Sequence, residues 1–418
     1  METRGAPVYT PVTMKQPNRR LFLGSLVLIA VVLLLLDPSD IVNRVFTRRR
    51  PPVDPAVVAE GVKLVETEGR SPAELVLEAL GEHRVVFLGE FPQIAEHPQF
   101  LAELIPQVTA AGIRRVGIDF ALARDQDLID RATTAAEYDE ELVQRILRQR
   151  LAIWGYEEYA AVFHAAWETN RGRPADEQVR LVGLNVEQDQ GPTQLPPEER
   201  PTGAELGRAL FPNGLPDQEM ARAALNALRQ GEGPLLLYAG ARHAFTDFRD
   251  LEYENRMAEL GFPDARRTGN ILAEELGGDI ITVYLHGPWP AEEERNGLTF
   301  AAGGLVDAVL AELPADSRRV AVPIAGTPVG AHRIEAGDYA SLRDGYTFGR
   351  LTDAYIILAP TAALSAATPI EGFITEENID AARAGFPGHL PDNAGPQDIN
   401  AYIARVSANL DDILDGFD

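Results

Sequence analysis

The chain of 418 residues contains no cysteine. That absence removes disulfides, zinc fingers, iron–sulfur clusters, a cysteine nucleophile and a lipid-modified cysteine from consideration. Lysine is nearly as scarce, occurring only at Lys15 and Lys63, so beyond Lys63 the chain offers no Schiff-base lysine, and it has no P-loop G-x-x-x-x-G-K-[ST]. None of the few serines sits in G-x-S-x-G and H-E-x-x-H is missing, which removes the α/β-hydrolase nucleophile elbow and the zincin motif. Gly231-Glu232-Gly233 comes nearest to a dinucleotide fingerprint, but it precedes an apolar run instead of following one and reads as a turn. Basic residues are outnumbered: 38 Lys and Arg against 63 Asp and Glu give a net charge of −25, which repels a polyanionic backbone and sets DNA and RNA aside as partners. Chemistry therefore rests on carboxylates and the seven histidines.

What is present begins with an apolar run. Leu21 to Leu36 (LFLGSLVLIAVVLLLL) carries no charge, and at 1.5 Å per residue it spans about 24 Å, close to a hydrocarbon core. Nearby Ile41 and Val42 extend it. A cleavable signal peptide wants small residues at the end of such a run, whereas the chain continues Asp37-Pro38-Ser39-Asp40. An uncleaved anchor is expected. Arg19 and Arg20 abut the apolar core directly, while Arg44 and Arg48 to Arg50 lie behind two aspartates, so the amino terminus is placed inside and the body outside the cytoplasm. The expected organisation is a cytoplasmic tail over 1–20, a single-pass membrane anchor over 21–42, a basic Pro-rich stalk over 43–54 and one α/β domain over 55–418.

Beyond the stalk, buried-strand runs alternate with helical periodicity. The strands are read at Arg84 to Leu88, Arg115 to Ile118, Arg180 to Leu184, Pro234 to Tyr238, Asp279 to Leu285, Arg319 to Ile324 and Asp353 to Leu358. Helices are read at Val57 to Val65, Pro72 to Leu80, Pro98 to Val108, Glu140 to Leu151, Tyr156 to Trp167, Asp217 to Leu228, Gly304 to Leu310 and Asn400 to Leu414. The alternation predicts an α/β fold with a largely parallel sheet flanked by helices on both faces. Residues 188–217, rich in Pro, Gly and Glu, read as an irregular insertion or lid.

In such a sheet ligands bind at the carboxyl edge, and that is where the polar residues cluster. Glu90 follows RVVFL, Asp119 follows RVGI, Asn185 follows RLVGL, His243 stands three residues past PLLLYA-Gly240, and His286 follows ITVYL. Glu90 can orient a water or a histidine, ligate a metal, or cap the next helix. His243 can be a base, an axial ligand or a satisfied loop histidine. Asp119 is a second carboxylate, or a structural partner of Arg124. Asn185 can hydrogen-bond a ligand or cap its loop. His97, in Glu96-His97-Pro98, sits near a helix amino terminus, and His164 lies on a helical face between Phe163 and Trp167. Tyr156, Tyr159, Phe163 and Trp167 recur at about helical spacing, as a core stripe or one wall of a cofactor pocket.

The order V-F-L-G-E, then Gly117-Ile118-Asp119-Phe120, Trp154-Gly155-Tyr156, Gly183-Leu184-Asn185, Gly240-x-x-His243 and Asp353-Ala-Tyr-Ile-Ile-Leu resembles the superfamily of ChaN-type haem-binding proteins, erythromycin-esterase-like hydrolases and Tiki/TraB proteins. It covers about Arg84 to Pro369, with Tyr238 to Ala244 and Trp154 to Asn185 most similar to the ChaN branch. The resemblance implies a small-molecule ligand, haem or a divalent metal, near His243, His97, Asn185 and Tyr156, or a hydrolase using Glu90, Asp119 and His243. Two departures stand out. The family's histidine after Gly-Glu is replaced by Phe91-Pro92-Gln93, and its second acid is the shorter Asp119. A non-catalytic envelope protein with a degenerate site is the third expectation. The oligomeric state is not readable from the sequence.

Overall fold

A computed structural model describes residues 48–291, 297–334, 346–388, 390–391 and 393–417. The anchor expected over 21–42 lies outside these, and among the described residues no helix is long and apolar enough to cross a membrane. The central sheet holds seven strands in the order β3-β2-β4-β1-β5-β9-β8. They are β1 (Val85–Glu90), β2 (Arg115–Leu122), β3 (Arg180–Asn185), β4 (Leu235–Gly240), β5 (Ile280–Leu285), β8 (Val320–Pro323) and β9 (Ala354–Ile357). Two-residue strands β6 (Trp289–Pro290) and β7 (Leu298–Thr299) pair with each other. Every sheet pair is parallel except β8 on β9, which is antiparallel and forms one edge. The expected α/β class holds, and the seven runs read as strands are the seven strands of this sheet.

Helices of eight residues or more are α1 (Pro55–Glu68), α2 (Pro72–Glu82), α3 (Glu96–Ala110), α4 (Gln126–Thr134), α5 (Glu140–Arg150), α6 (Glu157–Asn170), α7 (Gly203–Leu210), α8 (Pro216–Arg229), α9 (Leu251–Glu259), α10 (Thr268–Leu276), α11 (Leu305–Glu312) and α12 (Pro396–Leu414). They cover both faces. Along β1, Val86 and Leu88 join the core under α2, α3, α5, α6 and α12, while Val85 and Phe87 join the core under α1, α8, α10 and α11. A strand buried on both faces needs apolar side chains at every position, which is why these runs are uninterrupted rather than alternating. Gly89 in β1 sits where a Cβ would lie 3.0 Å from Ala241 Cα and 3.1 Å from the Tyr284 ring, so only glycine lets the ends of β1, β4 and β5 approach.

Two sequence expectations need adjustment. Residues 188–217 contain α7 and a short helix at Gly191–Gln194, so the segment is not irregular throughout. Residues 48–54, read as the end of a stalk, lie against the domain. Arg50 Nη1 donates to the Asp307 carbonyl at 2.8 Å, and Asp54 caps α1 through the Ala56 N–H.

Candidate functional site

The two-residue period of β1 and β4 places the first site residue. Glu90 shares the parity of Val86 and Leu88, and Tyr238 shares that of Leu236, so both face α6. The Tyr159 hydroxyl on α6 donates to Glu90 Oε2 at 3.0 Å, and the Tyr238 hydroxyl donates to the same oxygen. The Phe120 ring packs edge-on against both tyrosines, with centroids 5.0 and 6.1 Å away. Glu90 is 1% exposed. Its other oxygen, Oε1, is buried and has no hydrogen-bond partner among the described residues. Burial first, and the Asp119 carboxylate second, push the Glu90 carboxyl up to about 8 against the opposing tyrosine hydrogen bonds.

Asp119 sits within β2, which continues through Leu122 rather than ending at Ile118. The Gly240 N–H at the end of β4 donates to Asp119 Oδ2 at 3.2 Å. Its own carbonyl accepts from Arg150 Nε at 3.1 Å and from Asn185 Nδ2 at 3.0 Å. Burial raises its proton affinity, opposed by the positive charges of His243 and Arg150 and by the Gly240 N–H. Of two coupled buried carboxyls, Asp119 has the partners that favour ionisation. Glu90 is the one that holds its proton.

His243 lies in the short turn after Gly240, with its ring against Gly240: Cδ2 is 3.6 Å from where a Cβ on that residue would be. Its side chain is 24% exposed. The Asp217 carboxylate takes its Nδ1 at 2.7 Å, leaving Nε2 as the nitrogen available for chemistry. Asp217 was not among the residues picked from the sequence. It occupies the second position of a Pro-initiated helix, where an acid reads as an ordinary first-turn residue, yet it is 0% exposed. Thr268 supplies its N–H at 2.8 Å and its hydroxyl at 2.9 Å, and Arg267 Nη1 donates at 3.1 Å. Burial opposes ionisation of Asp217, but His243, Arg267 and Thr268 outweigh it and hold the carboxyl well below the usual range. Arg267 in turn bonds Asp250 at 2.7 Å and lies over the Tyr253 ring.

The remaining candidates are placed differently. His97 is completely buried, and both ring nitrogens are occupied by main chain. Nδ1 accepts the Phe91 N–H at 3.1 Å, and Nε2 donates to the His286 carbonyl at 3.0 Å. Burial pushes its imidazole down to about 4. No nitrogen is left for a ligand. Asn185 spends its amide on the Asp119 carbonyl, and the Tyr156 hydroxyl accepts from Gln93 Nε2 at 3.1 Å. Gln93 is the left-handed residue (φ 69°) of the turn after β1, and its N–H donates to the Tyr159 hydroxyl at 3.0 Å. Pro92, which with Gln93 stands where the resemblance has a histidine, lies with its Cγ 3.8 Å from the point where a Gly240 Cβ would be. His286 is buried with Nδ1 on the Tyr355 hydroxyl and Nε2 on the Thr361 hydroxyl. His164 packs against Tyr138 and Trp167.

Glu90, Asp119 and His243 therefore share one edge of the sheet, linked through Gly240, while His97 and Tyr156 support its turn. Among the described residues no group of three His, Asp or Glu is arranged to hold a metal ion. A cavity of about 410 Å³ opens beside Asn185, between the Arg124–Glu187 and Arg222–Glu219 pairs.

No protein-family model matches the sequence, and no curated protein matches it. Solved structures do. A succinoglycan biosynthesis protein is 14% identical, over 76% of this chain and 100% of that one, with a TM-score of 0.47. A mutant of the erythromycin esterase EreC in its open conformation is 13% identical, over 68% of this chain and 92% of that one, with a TM-score of 0.42. ChaN of Campylobacter jejuni, solved with cofacial haem, is 15% identical, over 52% of this chain and 86% of that one, with a TM-score of 0.30. The structural neighbours thus include both the ChaN and the erythromycin-esterase branches that the order of motifs resembles.

Proposed function

We propose that this chain is a hydrolase, anchored in the membrane by residues 21–42 with its α/β domain outside the cytoplasm, in which His243 activates water. The observation that carries the reading is the Asp217–His243 pair. A buried carboxylate, held ionised by Arg267 and Thr268, accepts the Nδ1 proton and fixes the ring so that Nε2 is the basic nitrogen. Asp119 and Glu90 stand at the same edge, buried just behind it. A divalent metal draws less support, because no three-ligand group is present among the described residues, and His97 has no free nitrogen to serve as a haem ligand.

The test uses full-length protein in detergent micelles against a panel of simple esters and amides. His243→Ala and Asp217→Asn are each expected to lose about a hundredfold or more of the wild-type rate, with the fold intact by circular dichroism. Wild-type protein inert on the whole panel, or variants as fast as wild type, would overturn the reading. Topology is tested in spheroplasts, where external protease is expected to digest the domain. Resistance there places it inside.

A further inference from the structure

Glu90 poses a question that the water-activating pair does not answer. Two tyrosine hydroxyls donate to Oε2, and the Tyr159 hydroxyl also accepts the Gln93 N–H on its own oxygen. Oε2 is therefore an acceptor twice over, and a proton on this carboxyl belongs on Oε1. That atom is buried and without a partner among the described residues. An ionised carboxylate with one oxygen bare and buried loses its hydration with nothing in return, whereas a neutral acid leaves only one O–H donor unmade. The groups facing Glu90 agree with the neutral form. Tyr238 on β4 and Tyr159 on α6 are uncharged, and Asp119 on β2 is a like charge whose own counter-charges, His243 and Arg150, lie on its side of the pair.

We infer that Glu90 works as a neutral acid whose Oε1–H donates a hydrogen bond to an acceptor oxygen of the substrate, the oxygen of an uncharged carbonyl group. The inference rests on the hydrolase reading for its chemistry. His243 Nε2 takes a proton from water, and the water oxygen bonds to the carbonyl carbon. The C=O π pair moves onto the carbonyl oxygen, which Glu90 meets with its O–H. When that pair returns, the bond to the leaving group breaks, and the leaving group takes the proton from the His243 imidazolium. Water has then been added across the bond, and Glu90 ends with the proton it began with. A buried donor that strengthens its hydrogen bond only as charge develops stabilises the transition state over the ground state. A phosphate ester fits worse, since it would bring full negative charge against Asp119 before any reaction.

This role differs from that of a carboxylate base or metal ligand, and two measurements on the full-length protein separate them. Infrared difference spectra read the acid directly. Wild type at pH 6 is expected to show a protonated-carboxyl C=O stretch that fades as pH rises past 8, is absent from Glu90→Gln and persists in Asp119→Asn. The hydrolysis of 4-nitrophenyl acetate, corrected for hydroxide, reads the function. The rate is expected to fall above pH 8 in wild type. Glu90→Ala is expected to lose about a hundredfold or more. Glu90→Gln, which keeps a donor, is expected to lose less than the alanine variant and to lack the alkaline fall. A missing acid band at pH 6, or a wild-type rate that climbs through pH 8 with both variants equally inactive, would overturn the inference. A band that is present in a protein that hydrolyses nothing keeps the donor and overturns the hydrolase reading alone.

Discussion

Two histidine environments in this molecule differ in what surrounds the ring. His97 and its neighbour His286 are wholly buried, and every nitrogen meets a protein partner: main chain for His97, the hydroxyls of Tyr355 and Thr361 for His286. His243 is partly exposed, and among the described residues only Nδ1 is held, by a carboxylate that is itself fixed from three other directions. In the first arrangement His97 crosslinks the β1 turn to the end of β5, and the His286 ring ties that end to Tyr355 of β9 and to Thr361, with the Asp307 carboxylate 3.6 Å from Nε2. The second uses it as an oriented base. A histidine at a strand's carboxyl edge is thus not functional by position alone. The difference lies in whether a nitrogen is left over.

The largest effect should come from removing the carboxylate that makes the second environment. Asp217→Ala takes from the buried Arg267 one of its two carboxylate partners and frees His243 at the same time. Breaking a buried pair in this way costs about 3–5 kcal/mol, so urea unfolding is expected to move to a much lower midpoint. Asp217→Asn keeps the shape and is expected to cost less stability. A small change for the alanine variant would mean that Arg267 is served by Asp250 alone, and that the dyad is not a structural centre.

The same comparison gives opposite pH dependences. The His97 imidazole is held down at about 4 in the fold against an ordinary 6.5. The unfolded chain therefore binds more protons between those values, and stability falls as pH drops from 6.5 towards 4, by roughly 3 kcal/mol in all. Glu90 runs the other way. Its carboxyl is raised to about 8 from 4.5, so its contribution is intact below 4.5 and is lost as pH rises through 8, on the order of a few kcal/mol. Chemical denaturation across pH should show His97→Gln less sensitive between 6.5 and 4. Glu90→Gln should become more stable than wild type, relative to their difference at pH 4.5, as pH approaches 8. Parallel curves for wild type and both variants would erase the contrast.

How much of this could be read from the chain follows from the physics of each residue. Strands buried on both faces announce themselves as apolar runs, so all seven were legible, although their ends were not. β1 runs on through Gly89-Glu90 because Glu90 still pairs with Gly240, and β2 runs to Leu122, which pairs with Asn185 across a break in register that starts after Ile118 and contains Asp119. Helices α4, α7, α9 and α10 escaped because each is only eight or nine residues long, about two turns, too short for its period to stand out from the polar residues around it. The edge residues Glu90, Asp119 and His243 were legible because strand ends point to one edge. Asp217 was not, since its partners Arg267 and Thr268 lie some fifty positions away and nothing local marks a helix-start aspartate as buried.

The smallest expected effect separates two neighbouring tyrosines. Tyr156 and Tyr159 are both fully buried and both touch the turn after β1. Tyr159 carries a two-step chain, accepting the Gln93 N–H and donating to Glu90. Tyr156 only accepts from the Gln93 side chain, which is half-buried and can turn to water. Tyr156→Phe removes one neutral hydrogen bond from a donor with an alternative, so a loss of about 1 kcal/mol or less is expected, with the pH profile of the rate unchanged. Tyr159→Phe strips a donor from Glu90 and leaves a main-chain N–H in the turn without its partner. It is expected to cost about 1–3 kcal/mol and to shift the alkaline fall of the rate upward, because one of the hydrogen bonds that favours ionised Glu90 is gone. Equal effects of the two substitutions on that fall would mean that the turn, rather than the hydroxyl on Oε2, sets the state of Glu90.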